Sequence, residues 1–160
     1  MIKDSEKSKM IRQLHKDEKV PYDLLLLADE TIEAINKYIK ESEIYVFEQE
    51  KKIIAVYALQ ILNKDSIEIK NIAVDKEHQG QGIGKLLLRD AADKAKDKGF
   101  KTIIIGTGDA AIKQLYLYQT EGFEIFDIKK NFYIDIYPEP IYENGIQLKH
   151  MIMLKKELKQ

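Results

Sequence analysis

The run Ile72-Ala73-Val74-Asp75-Lys76-Glu77-His78-Gln79-Gly80-Gln81-Gly82-Ile83-Gly84-Lys85-Leu86 constrains the fold more than any other part of the chain. A β-branched strand leads into a glycine-rich turn, and the turn opens a helix with Ile83, Leu87, Ala91 and Ala95 at four-residue spacing. Strand, loop and helix in that order imply an α/β protein. All eight glycines lie after residue 79, three of them at Gly80, Gly82 and Gly84. Two phosphate-binding signatures fail on spacing. A dinucleotide fingerprint G-x-G-x-x-G would meet its third glycine one residue early. A Walker A loop needs four residues before Gly-Lys, whereas Gly80 and Gly84 enclose three and Lys85 is followed by Leu86. The pattern Q-x-x-G-x-G is met by Gln79, Gly82 and Gly84. At a helix N-terminus such a loop offers unpaired N–H groups to an anion, and glycine removes the Cβ that would hold an anion off. Lys85 adds a cation at the rim. On glycine content alone, a flexible turn without a ligand fits equally well.

The rest of the composition mostly excludes. The chain has 160 residues, a formal net charge of −1, 33% charged and 44% hydrophobic residues. These values suit one globular domain over residues 1–160. With no cysteine, disulfides, cysteine nucleophiles and thiolate metal sites are ruled out, and three scattered histidines make a metal site unexpected. The neutral balance gives no reason to expect nucleic acid. The N-terminal MIKDSEKSKM lacks the apolar stretch of a signal peptide, and Leu24–Leu27 is the longest aliphatic run. No membrane is expected, and the expected location is cytoplasmic.

Periodicity predicts the remaining elements. Residues 9–16 alternate as a first strand. Pro21 opens helical spacing over 22–40, with Asp29 placed to cap a second helix there. Ile44–Phe47 and Ile53–Leu62 read as a hairpin, followed by a strand over Ser66–Val74. A helix over 82–98 ends at Gly99. Lys101–Gly106 is a buried strand, with Gly106 and Gly108 in the turn after it. Asp109 caps a helix reaching Glu121, and Phe123–Ile128 is a strand. Asn131–Gly145 is a long aromatic loop, Ile146–Leu154 a last strand, and the residues from Lys155 a polar tail. The order gives a mixed, mostly antiparallel sheet with helices on both faces.

Three of these segments together resemble the GNAT-type N-acetyltransferases. They are the strand Glu68–Val74, the loop Gln79–Lys85 and the run Leu117-Tyr118-Gln119-Thr120-Glu121-Gly122-Phe123. The resemblance implies the GNAT fold, acetyl-CoA as co-substrate and transfer to a primary amine within a ternary complex, with no metal. It implies that the backbone of Ile72 and Val74 meets the pantetheine arm. The loop Gln79, Gly80, Gln81, Gly82, Ile83, Gly84 and Lys85 then holds the pyrophosphate. Tyr118 matches the family's general acid, which protonates the departing thiolate of pKa about 8.5. Glu68 matches its general base, needed because an alkylammonium has a pKa near 10.4. From pattern alone, Tyr118 also fits a core-edge tyrosine, and Glu68 a solvated residue beside Lys70. Asp109 stands where the family often has a CoA-contacting Asn.

The loop carries aromatic and acidic residues suited to an ammonium, among them Tyr133, Tyr137, Glu139 and Tyr142. The stretch 109–154 resembles a bacterial subgroup that includes polyamine acetyltransferases. A small amine or polyamine is therefore the expected acceptor, and a second copy of the chain is a candidate partner. A non-catalytic acyl-CoA-binding or sensory module on the same fold is the alternative.

Overall fold

The structure, a computed structural model, describes residues 3–7 and 10–159. Its elements are α1 (Asp4–Lys7), β1 (Ile11–Gln13), α2 (Tyr22–Leu25), α3 (Ile32–Asn36), β2 (Glu43–Gln49), β3 (Lys52–Ile61), β4 (Ser66–Val74) and α4 (Ile83–Asp97). β5 (Thr102–Gly108), α5 (Ile112–Thr120), β6 (Glu124–Lys129), α6 (Phe132–Ile136), β7 (Tyr142–Glu143), β8 (Ile146–Gln147) and β9 (Met151–Glu157) follow. Seven strands form one sheet in the order β1-β2-β3-β4-β5-β9-β6, while β7 and β8 make a separate hairpin. Among the described strands, only β4 and β5 pair in parallel. This is the expected mixed, mostly antiparallel sheet.

Strand alternation sorts the core to the two faces. On β2, Tyr45 and Phe47 join the α4 residues Leu87, Leu88, Ala91 and Ala95. Ile44 and Val46 point the other way, against Leu24 and Leu25 of α2 and Ile35 of α3. Helix α4 ends as its sequence implies. Phe100 N–H donates to Ala95 carbonyl at 3.0 Å and Gly99 N–H to Lys96 carbonyl at 2.9 Å, with Gly99 at φ 91°. That paired closure requires a left-handed residue, which glycine adopts without strain.

The feature that shapes the site is a bulge in β4. Ala58 of β3 faces Asn71 while the next residue, Leu59, faces Ile69, so Lys70 is the extra residue. The bulge flips the alternation. Ile67 and Ile69 pack on the α4 side, as do Ile72 and Val74, while Ala73 packs toward α2 and α3. A bulge also bends and over-twists its strand. Pairing of β4 with β5 stops at Ile69 opposite Ile105, although β4 continues to Val74 and β5 to Gly108.

Several expectations are corrected. The first strand is shorter than read, and Lys9 lies outside the described residues. The helical stretch over 22–40 is broken, and Thr31 caps α3, its side chain accepting from Ala34 N–H at 3.1 Å. Asp29 instead accepts from the hydroxyls of Tyr38 and Tyr137. Helix α5 starts after Ala111 with no side-chain cap. Asp109 accepts from Lys149 N–H at 3.1 Å and its own N–H bonds His150 carbonyl at 3.0 Å, so it pins the chain entering β9. Gly106 and Gly108 lie inside β5, where a Cβ would meet Met151 or Leu148 at 2.7 Å. Residues 131–145 hold α6 and half of the β7–β8 hairpin rather than an irregular loop. The last strand is split, Ile146–Gln147 turning back on β7, and the polar tail continues β9 through Glu157 beside β5.

Candidate active site

A cavity of about 750 Å³ lies where β4 and β5 part. It is reached from both faces of the sheet. Tyr118 belongs to the α4-side core, and Tyr38 to the α2–α3 side, yet both line it.

The splay leaves backbone groups free for a ligand. Asp75 N–H donates to Ile54 carbonyl at 2.8 Å, which makes these two a hydrogen-bonded pair. Stepping by two along the antiparallel ladder, Ala73 and Asn71 also face β3 through their backbone groups. The N–H and C=O groups of Ile72 and the N–H of Val74 are therefore left unpaired in the gap, while the Val74 carbonyl is taken by Gln79. Gln79 does not aim its side chain at a ligand; its amide donates to Val74 carbonyl at 2.9 Å and so fixes the loop to the strand end.

Gly80 at φ 78° and Gly82 at φ 81° lead into α4, and a Cβ on either would meet nothing within 4 Å. Backbone conformation, not packing against the protein, is what calls for glycine there. Gly82 caps α4 without a side-chain bond, so the first-turn amides remain available to an anion. Gly80, Gly82, Ile83, Gly84 and Lys85 line the cavity together with Gln79, Ile72 and Val74; Gln81 does not.

Tyr118 is buried beside Phe123, ring centroids 6.3 Å apart. Its hydroxyl has no hydrogen-bonding partner among the described residues. Burial holds that hydroxyl above the ordinary tyrosine range, and the charge of Glu143 raises it further. Glu68 is 7% exposed and lines the cavity, with its carboxylate 3.6 Å from Lys70 Nζ.

The opposite wall is aromatic and acidic. Tyr133 and Tyr137 stack with centroids 6.0 Å apart. Burial raises both hydroxyls, and Asp29 adds to each shift. Tyr137 donates to one oxygen of Asp29, and Tyr38 to the other at 3.2 Å. Asn71, buried at the bulge, donates to Tyr38 Oη and to Leu25 carbonyl, both at 3.0 Å. Glu139, Tyr142 and Asp109 are not in the cavity wall, and Tyr142 is 64% exposed on the hairpin. Sequence reasoning missed Asp29 as a site residue, together with Tyr38, Asn71 and Glu143. The Asn144-Gly145 pair, at φ 53° and 76°, was the available signal for a tight hairpin that turns Glu143 inward.

Comparison with known proteins gives this geometry its family. The sequence profile described as the acetyltransferase (GNAT) family matches residues 9–123. The chain belongs to that family. YvbK of Bacillus subtilis, an uncharacterized N-acetyltransferase, is 43% identical over 137 residues, spanning 86% of this chain and 88% of the relative. A GNAT family acetyltransferase from Elizabethkingia anophelis, solved with acetyl-CoA bound, superposes with a TM-score of 0.91 at 49% identity, covering 92% of this chain and 97% of that one. A Bacillus subtilis acetyltransferase solved with CoA gives 0.87 at 40% identity, with 93% and 98% covered. This GNAT protein is an acyltransferase, an acetyl-CoA-dependent N-acetyltransferase. Among the described residues, no helix is long and apolar enough to cross a membrane.

Proposed function

We propose that this enzyme acetylates the primary amine of a small molecule, polyamines included, by direct attack on the thioester. The observation that carries the reading is one cavity that joins the backbone edge of Ile72 and Val74, left unpaired by β5, to the acidic, aromatic wall of Asp29, Tyr133 and Tyr137. The two substrates enter from the two faces of the sheet and meet at the splay.

Each residue then has a task that follows from its surroundings. The amides of Gly80 to Gly84 and the start of α4 receive the pyrophosphate, with Lys85 adding charge. Backbone groups of Ile72 and Val74 align the pantetheine arm as an added edge partner. Carboxylates and aromatic faces hold an ammonium by charge and by cation–π attraction. The nitrogen must lose a proton before attack, and Glu68 can accept one directly or through water. As the N–C bond forms and the C–S bond breaks, the sulfur takes a proton from Tyr118 Oη. The nitrogen sheds its second proton, and the balance is one proton released per amide formed.

Thiol release from acetyl-CoA is the test, with spermidine, tyramine, an aminoglycoside and a peptide N-terminus as acceptors. Turnover with spermidine or tyramine supports the reading. Binding of acetyl-CoA without turnover of any amine supports the sensory alternative instead.

A further inference from the structure

Glu143 is set where a working group would be set. Asn144 and Gly145 make a tight turn, and Glu143 pairs with Ile146 across it. Asn144 Nδ2 donates to Ala110 carbonyl at 2.9 Å, and Leu148 N–H to Ile141 carbonyl at 2.8 Å. Asp109 holds the next residue, Lys149, by its N–H at 3.1 Å. The hairpin is thus fastened to the turn that begins α5, the helix carrying Tyr118. Glu143 lines the cavity, and its charge is felt at the Tyr118 hydroxyl.

Of the other carboxylates that line the cavity, Glu68 and Asp29 are already engaged, and Glu30 is the one whose like charge acts on Glu143. Glu68 is beside Lys70, and Asp29 accepts from Tyr38, Tyr137 and Glu30 N–H. The Glu143 carboxylate has no hydrogen bond or ion pair among the described residues. The titratable groups that face it are Tyr118 on α5, Tyr133 on α6 and Glu30 on the α2–α3 connection. Among the described residues, the cavity lysines Lys37, Lys70, Lys85 and Lys129 make no ion pair with it.

We propose that Glu143 is a catalytic carboxylate of this enzyme, binding the acceptor ammonium at the Tyr118 end of the cavity and taking its first proton. The inference rests on the amine-acetylation reading above and moves the base from Glu68 to Glu143. Charge supports it. Burial first, and then the like charge of Glu30, raises the Glu143 carboxyl above its ordinary value. That brings it nearer the working pH of a base. The step balances. The proton passes from nitrogen to a Glu143 oxygen, the freed lone pair forms the N–C bond, and Glu143 then returns its proton to solvent.

The experiment measures thiol release against pH with acetyl-CoA and either tyramine or spermidine. In the wild type kcat/KM falls on the acid side as the base becomes protonated. E143Q lowers kcat by about 100-fold or more and removes that acid limb, while acetyl-CoA affinity by calorimetry stays at the wild-type value. E143D restores part of the rate, and E30Q moves the limb to lower pH. Wild-type kcat with an intact limb in E143Q overturns the inference, as does a limb that disappears in E68Q instead. Wild-type enzyme that binds acetyl-CoA but acetylates neither amine overturns the acceptor reading, and this inference with it.

Discussion

The Tyr137 hydroxyl donates to Asp29, 108 residues earlier in the chain. Through Asp29 the tie continues to Tyr38 and then to Asn71 on the bulged strand. The aromatic segment over the proposed acceptor side is thereby anchored to the sheet by a chain of hydrogen bonds, with the Tyr133 stack beside it. Tyr137→Phe keeps the stack and removes the donor. A hydrogen bond to a charged acceptor contributes roughly 1.5–3 kcal/mol, less where water competes. The expected result is faster amide exchange over residues 131–141 and a higher KM for the amine, at unchanged acetyl-CoA affinity. Unchanged exchange and KM would mean that the tie does not hold the wall.

Any side chain at Gly82 carries a backbone cost. At φ 81° any other residue pays about 1–2 kcal/mol of backbone strain, and a carboxylate would also repel phosphate from the start of α4. Gly82→Ala is expected to weaken acetyl-CoA several-fold, and Gly82→Glu by more than about tenfold, the ratio being the electrostatic part. Calorimetric titration with acetyl-CoA checks both. Equal affinities for Gly82→Glu and wild type would place the pyrophosphate elsewhere.

The elements legible in the sequence are those fixed by near neighbours. The β2–β3 hairpin, α4 with its Gly99 closure, and the strand–loop–helix at Gly80–Gly84 follow from periodicity and turn chemistry within a short window. What escaped reading depends on partners far along the chain. Asp29 and Asp109 both have the chemistry of a helix cap, and each is claimed instead by a group 40 residues away or more, Tyr137 and Lys149. The Lys70 bulge leaves no mark in Glu68-Ile69-Lys70-Asn71-Ile72, because strict alternation and alternation with one slip differ only in which residue the neighbouring strand meets. Glu143 was hidden by the reading of 131–145 as loop, which ignored Asn144-Gly145.

Tyr118→Phe removes the hydroxyl and leaves the ring against Phe123. The expected loss is about 100-fold or more in kcat with acetyl-CoA affinity intact. The pH profile adds a second check. Burial and Glu143 both raise this hydroxyl above the ordinary value of about 10. The phenol therefore stays protonated as pH rises, and the wild-type rate should hold between roughly pH 7 and pH 9.5. A fall centred in that range would require a proton donor with a lowered pKa and would remove Tyr118 from that role.

Tyr57 offers a test of the core behind the site. It is fully buried, stacks on Tyr45 at 5.0 Å and donates to Asp90 at 2.6 Å, while Lys94 also contacts both Asp90 oxygens at 3.1 Å. Tyr57→Phe leaves Asp90 paired with Lys94, so no charge is stranded, and the cost is the one hydrogen bond to a charged acceptor, about 1.5–3 kcal/mol. For a chain of this size that corresponds to roughly 3–12 °C in Tm. The two proteins should differ in pH dependence as well. Burial raises the Tyr57 hydroxyl, with Asp90 adding to the shift. A group raised in the folded state contributes stability that is complete below its unfolded pKa and is lost as pH climbs above it. The wild type should therefore lose stability above about pH 10, where unfolded tyrosine ionises, and Tyr57→Phe should lose less over the same interval. Urea unfolding near pH 8 and near pH 10.5 measures both effects, and parallel losses in the two proteins would remove Tyr57 from the account of alkaline unfolding.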